Sequence, residues 1–264
     1  MKRILLISLK GGAGSTTVTA NLAHSLVQLN KSVAALDCES SNLLKLHLGL
    51  PYEAEDGWAK SMLNELSWQD AGFESPSGVT FVPFGQLHCA EISSYQADKE
   101  RLLRTMLMEF SKVSISEHAE EWQLIHLSPQ ELHNHIIADF AEQCELLFVV
   151  TNPEPLNYSL LKHFLQHNEL AKCLLNNNKL KVLINQFQPE TSVGRDFLLI
   201  MQKELQHLAV STVLHKDTAV VESAANMTTV AQFAPHSQAA KDYQSLAFWC
   251  VSHLASEIEN SNVE

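Results

Sequence analysis

The stretch Lys10-Gly11-Gly12-Ala13-Gly14-Ser15-Thr16-Thr17 follows the apolar run Ile4-Leu5-Leu6-Ile7 and precedes Val18-Thr19-Ala20-Asn21-Leu22-Ala23, which has a helical pattern. Strand, glycine-rich turn and helix in that order are the setting of a phosphate-binding loop. Successive N–H groups in such a turn point inward and make a concavity for an anion. Gly11, Gly12 and Gly14 permit left-handed backbone and close approach of a phosphate. The helix that follows adds a positive dipole end of roughly half an elementary charge. Thr16 can offer its hydroxyl to Mg2+, and Thr17 can donate to an inner phosphate. One position departs from the motif: Ser15 stands where a lysine is expected. A charge-assisted hydrogen bond contributes about 1.5–3 kcal/mol, so its loss weakens phosphate binding without abolishing it. Lys10, at the start of the loop, remains as a cationic partner.

The chain of 264 residues is long enough for one α/β domain with a buried core, and residues 1–264 read as a single domain without repeat or linker. A formal charge of −12 opposes a broad nucleic-acid surface, so nucleic acid is not an expected partner. Thirteen histidines reduce that charge below about pH 6.5. Met1-Lys2-Arg3 and the apolar run after it could open a signal peptide, but the run is broken at Lys10 and reads as a strand. No apolar run reaches the length of a bilayer span, and no membrane insertion is expected. Cys38, Cys89, Cys144, Cys173 and Cys250 are scattered without a CxxC pair, which fits reduced thiols in a cytoplasmic protein.

Strand-like runs alternate with helical patterns along the chain. Strands are expected at Arg3–Leu9, Val33–Asp37, Val79–Pro83, Gln123–Leu127, Leu146–Thr151 and Leu180–Gln186, with Val210–Leu214 closing the sheet. Helices are expected at Ser15–Leu29, Ala97–Lys112, Leu132–Glu142, Leu156–Leu170, Val193–Leu205 and Gln238–Ile258, with one around Trp58–Leu66 inside an irregular stretch from Ser40 to Gly78. This alternation implies an α/β fold with a doubly wound, mostly parallel sheet. Ligands in such folds sit beyond the carboxyl ends of the strands.

The loop from Lys10 to Thr17 resembles the deviant Walker A motif of the MinD/ParA ATPases, which has a lysine at each end of its glycine loop. Leu183-Ile184-Asn185 resembles the strand whose terminal asparagine contacts adenine in that family. The segments His215-Lys216-Asp217, Glu222 to Asn226 and Ala234-Pro235 to Tyr243 resemble its proline-containing loop and final helices. Within the family, Asp37 to Leu46, Gly57-Trp58 to Leu63, Trp68 to Gly72 and Pro83-Phe84-Gly85-Gln86-Leu87 are similar to the BcsQ branch of cellulose biosynthesis. That branch also carries a small hydroxylated residue in place of the second lysine.

The resemblance implies an ATP- and Mg2+-binding homodimer with two loops facing each other across the nucleotide. Lys10 would reach the partner's phosphates. Residues Lys10 to Thr17 and Asn185 would hold the nucleotide, and Thr16 and Asp37 would serve the metal. It also implies a short BcsR-like partner and recruitment to the cellulose synthase complex at the inner membrane. The hydrolytic positions are altered. Asp37 matches an acidic residue near the metal's water shell. Glu39 stands where active members have an aspartate, and its extra methylene moves the carboxylate by about one bond length. His126 stands at the Walker B aspartate, where a neutral imidazole cannot replace a carboxylate. Asp37 and Glu39 are therefore only weak catalytic candidates, and His126 reads as a hydrogen-bonded histidine at a strand end.

Other groupings carry less chemistry. His133 and His135, two apart, point to different sides of a helix and make a poor metal pair. Ser25, Ser40 and Ser41 lack the setting of a hydrolase nucleophile. Trp58, Met62 and Leu66 share a helix face that can serve the core or a partner. The acidic end Glu257 to Glu264 opposes a basic membrane-targeting helix. Binding of ATP with slow or absent hydrolysis is the expected behaviour. An active positioning ATPase and a nucleotide-free interaction module are the alternatives.

Overall fold

The computed structural model describes the backbone of residues 1–261 and side chains as far as Ala255, so the acidic end that opposes a membrane-targeting helix lies outside the described side chains. The strands β1 (Lys2–Ser8), β2 (Ser32–Asp37), β3 (Phe73–Glu74), β4 (Thr80–Val82), β5 (Glu121–Leu127), β6 (Leu146–Thr151) and β7 (Leu180–Ile184) form one sheet in the order β3-β4-β2-β5-β1-β6-β7. All neighbours are parallel except β3 with β4. The helices are α1 (Ser15–Gln28), α2 (Leu44–His47), α3 (Trp58–Leu63), α4 (Cys89–Phe110), α5 (His135–Ala141), α6 (Pro155–His167), α7 (Glu169–Asn176), α8 (Ser192–Leu205), α9 (Thr218–Ala225), α10 (Val230–Phe233) and α11 (Gln238–Ser261).

Central strands are apolar on both faces because both faces are covered. In β1, Leu5 and Ile7 join one core with α4, α5, α6 and α8, while Ile4 and Leu6 join the other with α1 and α11. The period of two in the strand thus divides one apolar run between two cores. Because the ladders are parallel, the loops leaving β1, β2, β5, β6 and β7 all emerge on one edge.

Several expected boundaries move. Val210–Leu214 does not form a strand. Val210 N donates to Val182 O at 2.9 Å and Leu214 N to Ile184 O at 2.9 Å, and the polar Ser211-Thr212 step separates these two contacts. The helix expected over Leu156–Leu170 is two helices. Asn168 ends α6 and caps α7, its side chain accepting from Ala171 N at 3.2 Å. Helix α4 begins earlier than expected because Glu91 accepts from His88 N at 2.8 Å and closes a capping box. Trp58, Met62 and Leu66 do not share one face, since α3 stops at Leu63; Trp58 is fully buried and Leu66 is 64% exposed.

Trp58 anchors the segment after β2. Its indole Nε1 donates to Asp37 O at 2.8 Å, and its ring meets Phe84 edge-on at 5.2 Å. This seat requires Gly57 against Gly85, because a Cβ at Gly57 would fall 2.0 Å from Gly85 N. Overpacking of this kind costs about 1–3 kcal/mol. Gly57→Ala is expected to lose stability in that range in denaturant unfolding; an unchanged midpoint would contradict the packing described.

Candidate functional site

The loop from Leu9 to Gly14 leaves the carboxyl end of β1, and α1 begins at Ser15. Gly14 is left-handed, with φ 93°, and a Cβ there would lie 2.5 Å from Asn185 Nδ2. Two side-chain amides from the end of β7 hold the loop. Asn185 Nδ2 donates to Ala13 O at 2.8 Å, and Gln186 Nε2 donates to Gly12 O at 3.1 Å. The structure therefore brings Asn185 to the loop expected from sequence, with its amide committed to the loop's backbone. Gln186 was not singled out in the sequence; its position next to Asn185 was the only signal.

The outer wall of the loop is open. A Cβ at Gly11 or Gly12 would meet no atom within 4 Å among the described residues. Gly14 offers α1 no side-chain cap, and no acidic residue occupies the first turn. The N–H groups of Ser15, Thr16 and Thr17 have no partner within the helix, as at any helix start. Lys10 is half-buried and its ammonium has no hydrogen-bond or ion-pair partner among the described residues. Backbone donors, a helix dipole and an unpaired cation converge here, an arrangement that fits a phosphate chain.

The inner wall is closed by His126. Parallel pairing puts His126 of β5 beside Asp37 of β2 on one side and Leu6 of β1 on the other. Its Nδ1 lies 2.9 Å from Asp37 Oδ1, and both side chains are fully buried. A carboxylate accepts, so Nδ1 carries the proton and donates. Nε2 faces Ser15 Oγ at 3.1 Å, Thr16 Oγ1 at 3.3 Å and Glu39 Oε2 at 3.5 Å. Ser15, Glu39 and His126, each altered from the resembled motif, are thus one contact set. Asp37 also accepts from Glu39 N at 3.0 Å on Oδ1 and from Leu44 N at 3.3 Å on Oδ2. Burial raises the Glu39 pKa, the imidazole of His126 lowers it by a lesser amount, and Asp37 adds to the rise.

Carboxylate, imidazole and hydroxyl in line have the order of a hydrolase triad. Here the hydroxyl belongs to Ser15, which is buried at the foot of α1 and also bonds Ser8 Oγ at 3.3 Å, so it presents no accessible nucleophile. The expected metal pair, Thr16 and Asp37, is brought together, but around an imidazole. Mg2+ demands octahedral oxygen ligands and keeps several waters. Asp37, fully buried and holding three protein donors, has its oxygens occupied, whereas the Thr16 hydroxyl donates to Nε2 and keeps its oxygen for an ion. The loop's backbone and Lys10 would hold a nucleotide's phosphates, and of the expected metal pair Thr16 alone has an oxygen to offer an ion.

Thr17 is also engaged. Its Oγ1 lies 3.3 Å from His47 Nε2, a partner missed in the sequence because nothing in Leu44-Lys45-Leu46-His47 marks the histidine. Burial first, and His126 second, lower the His47 pKa from 6.5 to about 4. His133 and His135 do not cooperate: His133 Nδ1 meets Asn168 Nδ2 at 3.5 Å and His135 Nε2 meets Arg104 at 3.4 Å. Among the described residues no group of three or more His, Cys, Asp or Glu side chains is arranged to hold a metal. Ser25 is buried away from these groups, and Cys38, Cys144 and Cys250 are buried free thiols.

Residues 1–251 match the family model described as cellulose biosynthesis protein BcsQ. The cellulose biosynthesis protein BcsQ of Escherichia coli K12 is 28% identical over 246 residues, covering 93% of this chain and 92% of that protein. An uncharacterised ATP-binding protein of Methanocaldococcus jannaschii is 26% identical over 251 residues, covering 92% of this chain and 86% of that protein. Among solved structures, a ParA family ATPase from Chlorobium tepidum superposes with TM-score 0.70 at 17% identity, covering 94% of this chain and 98% of its own. Cobyrinic acid a,c-diamide synthase from Mycobacterium smegmatis, solved with an ATP analogue and magnesium, gives TM-score 0.70 at 17% identity, with 97% of each chain covered. These structural likenesses establish the ParA-like P-loop fold.

His47 gives the site a measurable pH dependence. An imidazole whose folded pKa is lowered supports the fold while neutral, above its unfolded value of 6.5, and loses that support as pH falls toward about 4. The loss is on the order of 3 kcal/mol across that window. Unfolding curves of the protein and of His47→Gln, taken from pH 7 to pH 4, are expected to converge as pH falls. Parallel curves would contradict a neutral buried imidazole.

Proposed function

The chain belongs to the BcsQ family of cellulose biosynthesis proteins, and from that premise we propose that it is an ATP-binding, hydrolysis-poor dimeric factor that assembles or regulates the bacterial cellulose synthase secretion complex. The observation that carries this reading is the end of β5. His126, not a carboxylate, stands there, bonded to Asp37 and facing Ser15, Thr16 and Glu39. Phosphoryl transfer depends on positioned cations and a positioned nucleophile. The site has no lysine at position 15 and no carboxylate at position 126, and Glu39 is turned toward the imidazole. Groups that act on the transition state weigh more on rate than on ground-state affinity. The open glycine wall, the uncapped start of α1 and unpaired Lys10 still favour binding of the phosphates.

Dimerisation across the nucleotide is supported by the same edge of the molecule. Lys10 is unpaired there, and Leu43 and Leu156, on segments leaving β2 and β6, are 44% and 73% exposed. A short BcsR-like partner has a candidate seat in an apolar groove of about 510 Å3 between α5, α6 and α7, lined by Leu9, Leu132, Leu160, Phe164 and Leu170. Recruitment to the inner-membrane face would run through such partners, since no described helix is long and apolar enough to cross a membrane.

The protein is to be purified without added nucleotide, denatured, and the released nucleotide identified by chromatography and mass spectrometry. Intact ATP, about one per chain, is expected, with bound ligand stabilising the fold by RT ln(1 + [L]/Kd). ADP together with turnover at ordinary P-loop rates, abolished by Thr16→Ala, would overturn the proposal. Lys10→Ala is expected to lose nucleotide and dimer together; a dimer that keeps its nucleotide would exclude a bridging lysine.

A further inference from the structure

We propose that His47 is a positioning residue for the nucleotide: its Nε2–H donates to Thr17 Oγ1 and so leaves the one proton of that hydroxyl for an inner phosphate in the loop. The inference rests on the nucleotide-binding reading above and deepens it. Thr17 Oγ1 lies 3.3 Å from His47 Nε2 and makes no other hydrogen bond among the described residues. A threonine hydroxyl has one proton to give. If the imidazole takes that proton, the hydroxyl turns only lone pairs toward a phosphate oxygen, and these repel it. If the imidazole gives a proton instead, the hydroxyl keeps its own for the anion. The tautomer of His47 therefore decides whether Thr17 helps or hinders binding.

The other ring nitrogen decides the tautomer. His47 is 8% exposed, and its Nδ1 is buried with no hydrogen-bond partner among the described residues. A proton on Nδ1 would be an orphan donor in the interior, whereas a bare lone pair there leaves only an unmet acceptor. Protein interiors admit orphan N–H groups less often than unmet acceptors, so the proton belongs on Nε2, which faces Thr17. The ring is neutral at pH 7, because burial lowers its pKa to about 4. Helix α2 holds it in place. Leu44 and Leu48 are buried in the core that α1 shares, and Leu44 N donates to Asp37 Oδ2 at 3.3 Å. Lys45 Nζ ties down the turn that follows, donating to Tyr52 O at 2.9 Å and Ala54 O at 2.6 Å. Thr17 is half-buried in the first turn of α1, among backbone N–H groups that have no partner within the helix. A hydroxyl proton directed there adds one more donor to that set.

Calorimetric titration with ATP in excess Mg2+ tests this on the full chain, His47→Leu, Thr17→Val and the double variant. His47→Leu is expected to weaken ATP binding about fivefold in the otherwise unaltered chain, and to change nothing further once Thr17→Val has removed the hydroxyl. His47→Gln keeps an N–H donor within reach of Thr17 and is expected to bind within about twofold of the unaltered chain. NMR of the histidine ring nitrogens, with His47 assigned by the signal that His47→Gln removes, is expected to place the His47 proton on Nε2 in the ATP complex. That measurement on the unaltered chain decides should His47→Leu fail to fold. A proton on Nδ1, an unchanged affinity in His47→Leu, or a loss that persists undiminished in the Thr17→Val background overturns the inference and leaves nucleotide binding standing. No binding of ATP by the unaltered chain overturns both.

Discussion

The buried contact between His126 Nδ1 and Asp37 Oδ1, 2.9 Å long, is the constraint on which the site depends. Parallel pairing of β2 with β5 sets the two residues side by side, and neither side chain reaches solvent. A buried carboxylate must be matched by donors, or it costs several kcal/mol. Asp37 is matched by the imidazole and by the N–H groups of Glu39 and Leu44. Its own carbonyl takes the indole of Trp58, which seats α3 against Phe84. The far nitrogen of the imidazole meets the first two side chains of α1. One ring thus couples the phosphate loop, the end of β2 and the segment that follows it.

The same coupling shows how a P-loop fold can be kept while the side chains at three of its motif positions change. The anion-binding half of the loop is made of backbone, glycines and a helix start, and those survive any exchange of side chains that spares the turn. The reactive half is made of side chains, and those at positions 15 and 39, which depart from the resembled motif, both lie against the third that does, the imidazole of His126. Fold and chemistry are separable for that reason. Likeness to ParA-type ATPases in backbone carries no inference about turnover here.

Much of this was legible in the sequence. The run Ile4–Ile7, the glycines and the helical pattern after Ser15 placed the loop, and the alternation of strands and helices gave the doubly wound sheet. His126 could be read as a hydrogen-bonded histidine at a strand end. Its partners could not be read, because positions 15 and 126 meet only through the pairing of β1, β2 and β5, and register is not written in any one segment. Each departure therefore looked like a separate loss. His47 was missed for the same reason: its significance is its burial beside Thr17. The errors in the elements were local. Asn168 broke a helix whose apolar period ran through it, and Val210–Leu214 had the composition of a strand but met β7 only at two points.

The most direct measurement is a crystal structure of the protein grown with ATP and Mg2+. If the loop binds ATP and hydrolyses it poorly, an intact triphosphate lies in the glycine loop and His126 still bonds Asp37. ADP in the loop, with His126 turned away from Asp37, would contradict the account at its centre.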